Sequence, residues 1–381
     1  MLSAFIPSSL PALPEENKPW QIAYRAQISP EISAENITVS DSVQITAAAA
    51  TPPEVSPQSE EPQQPLSSTV SPVPPPWAEI STPRLKVKLN QPNSACLTAA
   101  SADNNSAPVP ECTDTAQAAI QAFATAYLVS AAFDKYWQGE RSYRKPGQET
   151  LTIQLQHPAA QRCGPFYRAA PARTIYTSST AVSADPDIIA HEQGHAILDS
   201  YFHYNTGNSF TASAHEAFAD VTALVTSLQN AQIRENICLA WENGQYSSIA
   251  SVIGEGALEL RPGAPPASKG LRDLASVPEA IAERDCEEPH KASQRFSCGA
   301  YAALRELYER ERQSRPQEPA LSALKRSAER FSTDFINSVR WLPRQPIISQ
   351  RDLAQAVLQA NRELHAGQEI DIYQQNWKNI L

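Results

Sequence analysis

The sequence predicts an α+β fold: a strand-containing front and a mostly helical back, behind a Pro-rich head. Three observations carry this reading. Eighteen of the 32 prolines lie in the first 110 residues and no glycine precedes Gly139, so head and body differ in composition. Two short stretches, 150–156 and 173–177, read as strands. After Asp185 apolar residues recur with a 3.6-residue period over 186–203, 212–229, 298–312, 319–338 and 350–364. Strands first and helices after is the α+β order.

The elements follow in chain order. Residues 1–113 are expected to be a mostly disordered head or tether. From Ala47 to Trp77 the chain is Pro, Ser, Thr, Glu and Gln, too poor in large apolar residues to offset the entropy of ordering. Rich in Pro and free of Gly, this stretch is expected to be extended and semi-stiff. Within the head, 84–89 alternates polar and apolar residues as a short strand does. The body, 114–381, is expected to start with Asp114 as the N-cap of a helix over 116–137. Ile120, Phe123, Tyr127, Val129 and Phe133 lie mainly on one side of it. Cys163, Gly164, Pro165, Phe166 and Tyr167 fall between the two body strands. No internal repeat is present.

Composition excludes several classes of function. With 31 Lys+Arg against 41 Asp+Glu the net charge is −10, which argues against nucleic acid or an anionic membrane as partner. No stretch of 18 uninterrupted apolar residues offers a transmembrane helix. The six cysteines contain no C-x-x-C pair, so no cysteine zinc site is expected, and disulfide pairing stays open. Residues 1–20 lack a basic segment, and Pro7, Pro11 and Pro14 interrupt their apolar run, so no secretory signal is read there.

The chemistry concentrates after Asp185. That residue suits an N-cap and Pro186 the first helical position, so a helix starts just before His191, Glu192 and His195. Two histidines four apart on a helix project from one face and can grip one Zn²⁺. Glu192 sits at the edge of that face, too offset to ligate but placed to take a proton from a water. Catalytic zinc needs a third protein ligand. Twenty-one residues after His195 comes Glu216, a helical i,i+4 pair with Asp220. One carboxylate then reaches the metal and the other holds a ligating imidazole. His215 is the rival third ligand, but it points roughly 100° from Glu216 and lacks a partner like Asp220 on its face. His203 does not complete a metzincin pattern, which needs Gly and His where this chain has Leu198 and Tyr201.

HExxH at 191–195 followed by ExxxD at 216–220 resembles the thermolysin-like gluzincin zinc metallopeptidases. Two further patches resemble that family in the same chain order, Gly270 to Leu274 and Asp285 to His290. Trp341 to Pro343 and the closing helix resemble its tail more weakly. The likeness spans roughly 116–365. It implies a zincin-like, thermolysin-like fold of two lobes, one catalytic zinc, and hydrolysis of internal bonds in a peptide or protein substrate. By the same resemblance Arg272 binds a substrate carbonyl, and His290, oriented by Asp285, stabilises the oxyanion. It also suggests a secreted or extracytoplasmic protein.

The departures are specific. The spacing from His195 to Glu216 is one residue longer than in the prototype, and that from Arg272 to His290 is shorter. The family's second oxyanion donor is a Tyr; its position here holds Thr206, leaving Tyr201 or Tyr204 for the role. The edge strand that pairs with substrate begins with Gly164-Pro165 here, and Pro165 removes a backbone donor. Asp187 matches a calcium-ligand position, but the later acidic ligands are missing around 227–230, so zinc is expected and calcium is doubted. The alternative to the enzyme is a catalytically inactive metallopeptidase-like binding protein that uses its head as a tether.

Overall fold

The computed structural model describes residues 44–47, 78–82, 85–89, 110–139, 150–169, 171–201, 203–246, 252–254, 272–276 and 288–381. The 48–77 part of the head expected to be disordered lies outside them, as does Asp285. Strands β1 (Gln44–Ala47), β2 (Ala78–Thr82) and β3 (Leu85–Leu89) precede the first helix, α1 (Pro110–Tyr136). Asp114 is therefore inside α1 and not its cap; Pro110, with φ already helical and no amide to satisfy, begins it.

Next come β4 (Leu151–Leu155), α2 (Pro158–Cys163), β5 (Phe166–Arg168), β6 (Thr174–Tyr176) and α3 (Thr180–Ala184). The sheet runs β1-β2-β3-β4-β6-β5. Its β3-β4 and β4-β6 pairs are parallel, with Val87 opposite Ile153 and Ile153 opposite Ile175. The other pairs are antiparallel, which leaves β5 at one edge with Pro165 just ahead of it. The strand expected at 84–89 thus sits inside the sheet, beside the first strand of the body.

In β4 Leu151, Ile153 and Leu155 are buried while Thr152 and Gln154 are half-buried, the period-2 signature of one covered face. That face packs on Ala119, Ala122 and Ala126 of α1 and on Ile189 and Ala196 of the helix Pro186–Tyr201. Small side chains there let helix and sheet approach closely.

The back of the molecule is helical: α4 (Pro186–Tyr201), α5 (Ser209–Ser227), α6 (Ala231–Glu242), α7 (Pro289–Ser314), α8 (Ala320–Ser338), α9 (Gln350–His365) and α10 (Ile370–Asn376). A second sheet pairs β7 (Val252–Ile253) with β8 (Arg272–Asp273). Phe133, Phe218, Phe296, Phe331, Phe335, Tyr301 and Trp377 belong to one core that the helices share. Strands in front and helices behind make an α+β fold. Among the described residues, no helix is long and apolar enough to cross a membrane.

Helix α4 runs through the middle and is buried along most of its length. Asp185 caps it, Oδ1 accepting the amides of Asp187 and Ile188 at 3.0 and 3.3 Å. Asn208 caps α5 the same way through Phe210 and Thr211. The two helices are pressed together at Gly194 of α4 and Ala219 of α5.

Candidate metal centre

Helices α4 and α5 bring His191, His195 and Glu216 together. One donor atom from each lies within 4.8 Å of the others, the one such trio among the described residues. His191 Nε2 is 3.2 Å from Glu216 Oε2, and His195 Nε2 is 3.4 Å from Glu216 Oε1. Zinc held tetrahedrally at about 2.0–2.1 Å places its ligand atoms roughly 3.3–3.4 Å apart, so the spacing suits it. The donor set, two imidazoles and a carboxylate, also fits. The His191 and His195 rings meet edge to face, 4.9 Å between centroids.

Asp220, one turn beyond Glu216 and fully buried, lies behind the trio. Its Oδ1 is 3.0 Å from His191 Nδ1 and 2.9 Å from an Arg272 guanidinium nitrogen. Its Oδ2 accepts from the hydroxyls of Ser293 and Ser297 on α7, at 3.2 and 3.0 Å. A carboxylate at Nδ1 turns Nε2 toward the metal position and makes the imidazole a better ligand. Burial and Arg272 push the His191 pKa down, but Asp220 and Glu216 outweigh them and hold it at about 9. Burial raises the Glu216 pKa, but His195 and His191 overcome that and keep the carboxyl ionised.

Arg272, on β8, is buried and paired with Asp220 and Glu216, at 2.9 and 3.4 Å. His290, in the first turn of α7, puts Nε2 3.4 Å from Glu216 Oε2. Glu192 is 6% exposed, one position along α4 from His191. Glu192, Arg272 and His290 therefore all belong to elements that border the trio. His215 is absent from it. Its ring stacks on His195 at 5.8 Å and meets Tyr204 edge to face, and burial with the nearby His195 charge drops its pKa to about 3. Tyr201 donates its hydroxyl to the Arg340 carbonyl at 3.2 Å. Asp187 accepts from Ser227 at 3.3 Å.

The chain matches no protein-family model and no curated protein.

Several residues of the centre are not evident from sequence. Ser293 and Ser297 form an i,i+4 pair on α7, and two hydroxyls recurring on one buried helix face are the signal that points to them. Gly194 is signalled only by being a glycine in mid-helix. Glu288 contacts His290 from two residues away, and the signal there is an acidic residue just before Pro289 at a helix start.

Proposed function

We propose that this chain is a zinc-dependent endopeptidase with a zincin-like, thermolysin-like fold. The observation that carries the reading is the convergence of His191, His195 and Glu216 at ligand spacing beside the buried Glu192. The histidines bind through Nε2, and Asp220 holds His191 by its other nitrogen. Bound there, zinc supplies Lewis-acid polarisation of a carbonyl and lowers the pKa of a water. Glu192 takes the proton of the attacking water on its carboxylate and delivers it to the leaving amine nitrogen. His290 donates from Nε2 to the oxygen on which negative charge develops. Arg272, anchored by Asp220, binds a substrate carbonyl.

The test is metal content of the purified protein measured alongside casein hydrolysis, with and without chelator. One zinc per chain and chelator-sensitive hydrolysis support the reading. Bound zinc with no hydrolysis of any unfolded protein favours the inactive binding protein instead.

A further inference from the structure

Glu288 stands at the N-terminus of α7 and makes two kinds of contact there. Its carboxylate accepts the amides of His290 and Lys291 at 3.1 and 2.9 Å, capping the helix. Its Oε1 also lies 2.5 Å from His290 Nδ1. Pro289 separates the two residues and fixes the backbone φ between them, so the first helical turn sets the reach from carboxylate to ring. The ring's far nitrogen, Nε2, is the one 3.4 Å from Glu216. The His290 side chain is 57% exposed, and among the described residues its Nδ1 is held by Glu288.

The geometry points to Glu288 as the positioning residue for His290, a role the family resemblance implies for Asp285. The inference rests on the peptidase reading and adds a feature of this chain. The oxyanion donor is held by the same carboxylate that caps α7, and α7 also supplies the two serines on Asp220. Donor and metal centre are therefore referenced to one helix.

Glu288→Ser separates capping from ring contact, because serine is a favoured N-cap but too short to reach the imidazole. In the full-length zinc-loaded protein acting on an internally quenched peptide, this variant should keep wild-type zinc content and melting temperature. Its kcat should fall about 10²–10³-fold, the scale of one missing oxyanion donor, with a much smaller change in KM. Glu288→Ser combined with His290→Ala should be no slower than His290→Ala alone, and Glu288→Asp should recover part of the loss. A crystal structure of the zinc-loaded Glu288→Ser variant should show the His290 ring turned away from its wild-type place beside Glu216. Wild-type kcat in Glu288→Ser overturns the inference, most directly if Asp285→Asn loses activity. A wild type that cleaves nothing sinks the peptidase reading. The ring's placement then still decides, and a His290 ring unmoved by Glu288→Ser refutes the assignment.

Discussion

Gly194 of α4 and Ala219 of α5 touch where the helices bearing the metal donors cross. A β-carbon on Gly194 would stand 2.7 Å from Ala219 Cα and 3.0 Å from Thr222 Oγ1. The first of those atoms is backbone and cannot swing aside. Gly194 lies next to His195, and Ala219 next to Asp220, so separating the helices at this point separates the donors.

Gly194→Ala should therefore weaken zinc binding about 10–100-fold, the range of outer-sphere disruptions at metal sites. Overpacking costs about 1–3 kcal/mol, while alanine returns about 1 kcal/mol of helix propensity, so the fold should survive. Competition with a chromophoric chelator, run beside thermal unfolding, separates the two effects. Gly299→Ala is the control: its β-carbon meets Trp377 at 2.5 Å, a residue that is none of the metal donors. That variant should lose stability and keep zinc affinity.

Asp220→Asn should also weaken zinc about 10–100-fold by removing the charge behind His191. The amide still accepts from Ser293 or Ser297, so the helix pair should stay folded. Asp220→Ala should do more damage, because it strands the buried Arg272 without its closer partner. Zinc titrations and circular dichroism of both variants check this. Equal zinc affinity in wild type and Asp220→Asn counts against the role given to that carboxylate.

Stability should depend on pH through Asp334, in α8. Its carboxylate is fully buried and accepts from Asn361 and Tyr373, with His365, Glu369 and Arg330 around it. Burial raises its pKa from 3.8 to about 7, against the lowering effect of those two hydrogen bonds. The fold thus holds this proton more tightly than the unfolded chain does. Its contribution is fully present below pH 3.8 and is lost as pH rises through about 7. Asp334→Asn should flatten that decline in denaturant-melt stability between pH 4 and 8 relative to wild type. An unchanged difference between the two proteins across this range contradicts the assignment.

Strand β3 makes a fourth prediction. Because residues 85–89 pair with β4 inside the sheet, limited proteolysis of the full chain should leave a stable core that begins before Leu85. N-terminal sequencing of the fragment reads this directly. A core starting after residue 90 with unchanged zinc content and melting temperature would show β3 to be dispensable.

What is legible in the sequence, and what is hidden, follows from the range of the interactions. The i,i+4 pairs His191/His195 and Glu216/Asp220 are local, and helix geometry alone puts each pair on one face. The Asp185 cap is equally legible. Helices α2, α3 and α10 are too short for a period to stand out, and α6 mixes charge with its apolar residues. The start of α7 at Pro289, nine residues before the expected 298, is hidden because its first turns carry little apolar signal. The Ser293 and Ser297 bonds to Asp220 cross 73 and 77 residues, which no local pattern encodes. Family spacing singles out Asp285, which lies outside the described residues; among those, Glu288 reaches His290, brought there by the first turn of α7. Strands β1 and β2 lie in or beside the Pro-rich stretch, where composition alone argues against order.

The most direct test of the zinc-peptidase mechanism is Glu192→Gln assayed beside wild type for zinc content and hydrolysis of an unfolded protein. Glutamine keeps the size of the side chain but cannot accept a proton as a base. The variant should bind one zinc per chain as wild type does and hydrolyse about 10²–10⁴-fold more slowly. Equal rates in the two proteins, with zinc fully bound in both, would contradict the mechanism.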